Sequence, residues 1–292
     1  MIPLMRLKKD VEFNRDLTYV IEALKGIALN RYYALQRELA FYDQFADVAQ
    51  AILSGVELSS LDHPYARQKI QRTSVVVITS DGGFLGGLNS RVVTMAASEA
   101  GPDGLLSVVG VKGASALREM KREVTPFRGL AKDDVALARE IRDHLVKQVM
   151  SGEAGRIVIV YPHPVSLSTQ KVTAEKLVPC DEWLVNKKKE SVNPEQMIWE
   201  STPEVILQYS VHQWIEYRLL ELFTLSRLSE MAARVMHLEG SYQELIRQGK
   251  KIKLQYHRAR HEVIDRSMRE VFSSQLLMGR KKLEELAKMG LA

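Results

Sequence analysis

The sequence predicts an α/β domain carried on two long helices, with the N- and C-terminal helices paired as an antiparallel coiled coil and a Rossmann-like domain between them. Two observations carry this. Long proline-poor helical stretches occupy both ends, from about Leu4 to Leu53 and from about Pro203 onward, with no proline after Pro203. Val/Ile-rich runs alternate with helical segments in the middle, the pattern of a mainly parallel sheet covered by helices. Helices this long exceed what one small domain buries, so each needs a partner along its length. The expected division is a coiled-coil helix over 1–56, a central domain over 70–195 and a second coiled-coil helix over 203–292.

In the first helix, Leu17, Ile21, Leu24 and Ala28 mark an apolar seam at helical spacing. Leu35, Leu39, Tyr42, Ala46, Ala49 and Leu53 continue it, with Arg31 and Tyr32 as an interruption. Ser54-Gly55 ends the helix, and the polar stretch through His63-Pro64 reads as a loop. Strands are expected at Ser74–Thr79, Leu106–Val111 and Arg156–Tyr161, each continuously apolar as in strands buried on both faces. Helices are expected near Ser90–Ala100, Ala114–Glu123 and Lys132–Ser151, a further strand at Val172–Pro179, and a polar linker at Lys187–Asn193.

The last helix carries Leu222, Leu225, Ser229, Ala232 and Met236 at three- and four-residue steps, then Ile252, Tyr256, Ala259 and Val263. Gly240 and Gly249 bracket a stretch where it can bend or slip in phase. At ~1.5 Å per residue the two helices span roughly 75 and 130 Å, so the second outruns the first by roughly 50 Å. A lone helix projecting that far needs a sleeve made by other subunits.

Composition sets limits on function. The net charge of +5 in 292 residues is mild, and acids and bases alternate along both helices, which is the pattern of a solvated face. The single cysteine, Cys180, excludes an internal disulfide and fits a reducing compartment. The start lacks the pattern of a secretory signal or transit peptide, and no run of eighteen apolar residues occurs. The expectation is a mature chain equal to the whole, without a transmembrane segment, kept in a cytoplasm.

Chemical motifs are few. Asp81-Gly82-Gly83-Phe84-Leu85-Gly86-Gly87-Leu88-Asn89 follows a buried strand and opens a helix, a place where phosphate loops occur. Its glycine spacing fits neither nucleotide-binding pattern. The favoured reading is structural: Gly82, Gly83, Gly86 and Gly87 let the loop pack tightly, and Asp81 caps backbone amides. His163 lies between two prolines. His257 and His261 are a helical i, i+4 pair with no third ligand at motif spacing. The basic stretch Arg247–Arg260 has no aromatic platform for nucleic acid, so a carboxylate-bearing protein is the better partner. No catalytic residue, cofactor site or metal site is assigned.

Four places together resemble the gamma subunit family of F-type rotary ATP synthases. The loop from Thr79 through Asn89 is similar to that family's Asp-basic-Gly-Leu-Cys-Gly-Gly-x-Asn signature, with Gly82, Phe84 and Leu85 as departures. Gly110-Val111-Lys112-Gly113 resembles its Gly-x-Lys-Gly turn, Ser229–Arg234 its Ser-Glu-x-Ala-Ala-Arg, and Tyr256–Arg260 its Tyr-Asn-x-Ala-Arg. Leu17-Thr18 is a weaker match to its Ile-Thr-x-Ala-Met. The departures, including His261, Asp265 and the extension Gln275–Ala292, point to a divergent or alternative-type member.

The resemblance implies a central rotor stalk that couples proton or sodium flow through a membrane ring to ATP synthesis or hydrolysis. Its partners would be the alpha and beta subunits of the hexamer, an epsilon subunit and the membrane c-ring. It would work as a peripheral protein on the cytoplasmic face of the membrane. By the same resemblance Arg234, Arg260, His261 and Asp265 would contact the catalytic subunits, while the ATP chemistry stays in those partners. The alternative is a coiled-coil hinge protein of a large assembly, whose two arms should match in length.

Overall fold

The computed structural model describes residues 4–39, 63–65, 70–130, 134–179 and 201–288. Its elements are α1 (Leu4–Leu39), β1 (Thr73–Ile78), α2 (Leu88–Ala100), β2 (Leu105–Val109), α3 (Val111–Glu119), β3 (Thr125–Phe127), α4 (Asp134–Met150), β4 (Arg156–Pro164), β5 (Gln170–Val178) and α5 (Pro203–Lys288). The part of the first helix expected beyond Leu39, Cys180 and the Lys187–Asn193 linker lie outside the described residues. The chain divides into two units, one of Met1–Leu24 with Glu239–Ala292 and one of Lys25–Leu238.

The larger unit is built on a five-stranded sheet of order β3-β2-β1-β4-β5. β1 through β4 pair in parallel and β5 pairs antiparallel with β4. Every residue of β1 is buried because both sheet faces are covered. Val76, Ile78, Ile157 and Ile159 face α4 and the first turns of α5, where Leu207, Val211, Ile215, Leu219, Leu222 and Phe223 are fully buried. Val75, Val77, Val158 and Val160 face α2 and α3. The continuous apolar strands therefore report a three-layer sandwich, as expected for a parallel sheet.

Several expectations need correction. All of α5 was expected to serve the coiled coil, whereas its stretch from Leu207 to Leu225 packs against the sheet core. Its apolar stripe is complementary to the sheet, and a helical period alone does not say which surface it meets. β3 went unforeseen because it is short and carries Pro126, tolerable only on an edge strand. The second strand was expected to reach Val111 but stops at Val109, where Gly110 at φ 95° turns the chain into α3.

In the larger unit Tyr32 does not interrupt the α1 seam but lies within it. It is buried with Leu228, Met231 and Ala232 of α5, and Leu35, Leu39 and the hairpin residue Leu167 pack around them. Met236, expected on the α5 seam, is exposed. The face of α5 used here is set by Ser229 and Ala232, both fully buried.

The smaller unit is the free part of the helix pair. A Cβ on Gly249 would overlap Asn14 Oδ1, so the two helices approach closely there. Counting outward from this pair in opposite directions sets Leu7, Val11, Thr18 and Ile21 of α1 against Tyr256, Ile252, Leu245 and Tyr242 of α5. All eight are buried or half-buried, in matching steps of four and three. Leu24 is exposed, since the seam runs through Asn14 and Thr18 instead of the more apolar positions.

The same count brings the start of α1, Leu4, opposite Ala259. Every residue from Arg260 to Lys281 is exposed, and among the described residues α1 begins only opposite Ala259. From Arg260 to Lys288 the overhang is about 40 Å, close to the sequence expectation.

Two substitutions separate the roles of the α5 glycines. Gly240 has open space where a Cβ would stand. Gly240→Ala should raise thermal stability by up to about 1 kcal/mol through helix propensity. Gly249→Leu should lower it by about 1–3 kcal/mol through overpacking against Asn14. Paired thermal melts followed by circular dichroism check both signs.

Half-buried histidines in the larger unit predict a pH response. His144 lies beside Ser107 Oγ at 3.3 Å and Gln148 Nε2 at 3.0 Å, and burial pushes its pKa down. Burial likewise lowers His212, which sits 2.9 Å from the Tyr65 hydroxyl. Both resist protonation when folded, so the unfolded chain takes up protons first. Stability should fall as pH drops below about 6.5, the ordinary histidine value. In urea titrations, His144→Gln should flatten that slope.

Candidate functional site

Three of the sequence motifs meet at the carboxyl ends of β1, β2 and β4. Thr79 follows β1, and its hydroxyl donates to Val109 O at 2.7 Å and accepts from the Gly113 N–H at 3.1 Å. Side chains on Gly110 or Gly113 would collide with Thr79, which is why the Gly110–Gly113 turn has glycine at both ends. Asp81 Oδ1 accepts the Val111 N–H at 2.7 Å and so caps α3. The cap was expected on the turn of its own loop, and Asp81 instead caps α3, which lies beyond α2 and β2 in the chain. Gly129, after β3, has no room for a side chain beside the Asp81 carboxylate.

The loop after Asp81 is fastened at both ends. Ser80 N–H donates to Asn89 Oδ1 at 3.3 Å, and Asn89 Nδ2 donates to Ser80 Oγ at 2.9 Å. Between them Phe84, Gly86 and Gly87 take left-handed backbone conformations, with φ of 63°, 56° and 80°. For Phe84 this costs backbone energy that the surroundings must offset. The surroundings are α5. Leu85 and Leu88 pack on Ala233, and the Phe84 ring lies 6.1 Å from that of His237.

Arg234 completes the grip. Its Nη2 pairs with Glu230 at 2.6 Å, and its Nε points to Gly83 O at 3.4 Å. A Cβ on Gly82 would stand 2.6 Å from Nη2, so the guanidinium occupies the space a side chain there would need. Around this point α5 is fixed by further bonds. Ser229 Oγ donates to Pro162 O at 2.8 Å, and Arg227 pairs with Asp134 at 2.5 Å. Arg218 grips Glu175 with two bonds of 2.6 and 2.7 Å and also pairs with Glu221. Arg142 and Arg139 both bind Glu216. Burial and the Glu175 carboxylate raise the Tyr161 phenol, which stays protonated and donates to Glu175.

The structure thus brings Asp81, Gly82, Gly83, Gly86, Gly87, Asn89 and Arg234 into one joint at the root of the shaft. Arg260, His261 and Asp265 belong to the smaller unit, exposed on the overhang of α5. Among the described residues no three of His, Cys, Asp and Glu cluster as metal ligands, and no helix is long and apolar enough to cross a membrane. The sequence reading passed over Thr79 and the Ser229–Pro162 bond as functional, although both residues sit in its motifs. The role of Gly129 left no sequence signal.

Glycine contacts, apolar side chains, caps and ion pairs are the parts of a rigid joint. The class defined is a protein in which one long helix, α5, is shared between an α/β unit and a helix-pair unit. A sequence model described as ATP synthase matches residues 4–275, and the chain belongs to that family. It is similar to the ATP synthase gamma chain of Clostridium acetobutylicum, 29% identical over 242 residues covering 81% of this chain and 83% of that one. The gamma chain of Heliobacterium modesticaldum is 25% identical over 290 residues, covering 95% and 100%. In fold it resembles a chain in the rotor of the Euglena gracilis mitochondrial ATP synthase, with a TM-score of 0.64, 17% identity and coverage of 89% and 98%.

Removing the cap should loosen the joint measurably. Asp81→Ala is expected to cost about 1 kcal/mol. Gly110→Ala should cost more, since it adds a clash with Thr79 to an unfavourable φ. Urea denaturation of the two variants against wild type checks the order.

Proposed function

We infer that the chain is the central rotor stalk of an F-type ATP synthase, coupling ion flow through a membrane ring to ATP synthesis or hydrolysis by rotation. The observation that carries this reading is the overhang of α5. Twenty-two consecutive residues from Arg260 to Lys281 are exposed, and they include Val263, Ile264, Met268, Val271, Phe272 and Leu276. A lone helix with that much exposed apolar surface needs a surrounding partner. A hexamer of alpha and beta subunits provides such a sleeve. A hinge protein with matched arms would leave no overhang.

In this reading Arg260, His261 and Asp265 face loops of the catalytic subunits. The mixed charges make contacts that exchange as the shaft turns, since exposed ion pairs contribute little individually. A shaft differing on every side biases three otherwise equal sites differently at each angle. The α/β domain rests on the c-ring with an epsilon subunit beside it, at the cytoplasmic face as a peripheral protein.

Co-expression with the alpha and beta subunits, followed by size analysis and an ATP hydrolysis assay, tests this. The expected result is a complex containing one copy of the chain that hydrolyses ATP, with no hydrolysis by the isolated chain. Hydrolysis by the chain alone, or failure to co-assemble, would overturn the reading.

A further inference from the structure

The joint at the root of α5 has a mechanical consequence that the motifs alone do not assign. α5 belongs to the sheet unit up to Leu238 and to the shaft unit from Glu239 onward. Torsion that passes along this helix must be taken up by whatever holds its last turns before Leu238. Those turns carry Glu230, Ala233, Arg234 and His237, and all four touch the loop between Gly82 and Leu88 or hold a group that does.

We propose that this loop is a torque collar and that Arg234 is its latch, a positioning residue acting inside the chain instead of a contact to the hexamer. This rests on the rotor reading. Four features carry it. The guanidinium is committed, with Glu230 at 2.6 Å, Gly83 O at 3.4 Å and Met231 Sδ at 3.4 Å, and its side chain is only 20% exposed. The loop it grips has little freedom, being tied at Ser80–Asn89 and held in left-handed geometry at Phe84. That loop is also tied through Asp81 to the start of α3, so the grip reaches the rest of the sheet unit. Finally, Gly82 keeps the socket open, although its own backbone does not need glycine: its φ is not among the positive ones.

The last point supplies a clean test. Gly82→Ala asks nothing unusual of the backbone but puts a methyl against Nη2, so it disturbs the latch without touching its charge. Arg234→Ala removes the latch outright. A collar carries load only between shaft and ring, whereas a hexamer contact acts on hydrolysis even without a ring.

The experiment compares wild type, Gly82→Ala, Arg234→Ala, the double variant and Arg260→Ala in two preparations. One is the soluble complex with alpha and beta subunits, read by ATP hydrolysis. The other is the complete enzyme in vesicles, read by ions pumped per ATP hydrolysed. With a collar, Gly82→Ala and Arg234→Ala keep soluble hydrolysis within about a third of wild type and lower pumping per ATP at least twofold. The double variant is no worse than the poorer single one, as expected of two changes to one interaction. Arg260→Ala, on the overhang, instead lowers soluble hydrolysis.

The proposal is overturned if Arg234→Ala lowers soluble hydrolysis as Arg260→Ala does. It is equally overturned if Gly82→Ala pumps like wild type, or if the double variant falls by the product of the single effects. A wild-type chain that does not assemble or support hydrolysis would count against the rotor reading itself, separately from the collar.

Discussion

A single unbroken helix of 86 residues, α5, sets the terms for everything else in this protein. At its start it is a core helix, with Leu207, Val211, Ile215, Leu219, Leu222 and Phe223 sealed against the sheet. Near its end, from Arg260 to Lys281, every residue is exposed among the described residues. Its only interior glycines, Gly240, Gly249 and Gly279, each lower helix propensity, and no proline breaks the hydrogen-bond ladder. Isolated helices are marginal in water, so a helix this long depends on what packs against it at each stage. The sheet supplies that support first and α1 second, and the stretch from Arg260 to Lys281 stays exposed.

The charged groups around the root follow from the same constraint. A helix that emerges from a core passes from an apolar to a wet environment, and carboxylates at that boundary need partners. Glu216, Glu175 and Asp134 are each met by arginine, and the Arg218–Glu175 pair is a two-bond fork. Half-buried pairs of this kind add less net stability than their geometry implies, because desolvation opposes them. Their directional bonds fix the rotation of α5 about its axis, which apolar packing alone defines poorly. Ser229 does the same with one hydroxyl bond to Pro162 O.

Close approach is the second recurring device. Gly82, Gly110, Gly113, Gly129 and Gly249 all stand where a side chain would strike a named neighbour. Four lie in the joint and one in the shaft. Removing the Cβ at those points lets backbone and polar groups come within hydrogen-bonding or packing distance. In the loop that resembled a phosphate site, Gly82 thus serves contact between the chain's own parts, while Gly86 and Gly87 serve its left-handed turns. Arg234 fills the space beside Gly82.

Much of this was legible in the residues. Period and composition are local properties, so the helices at both ends, the buried strands and the overhang could be read directly. Burial on both faces leaves a continuous apolar run, and a missing partner helix leaves an exposed one. What the sequence could not decide is which surface each stripe would meet, because a seam at helical spacing fits a sheet as well as a helix. So the stretch of α5 from Leu207 to Leu225 went to the sheet, Tyr32 entered the seam, Leu24 left it, and Asn14 found Gly249. The convergence of three separate motifs on one joint was likewise decided only by the tertiary structure, since it depends on strands far apart in the chain ending side by side.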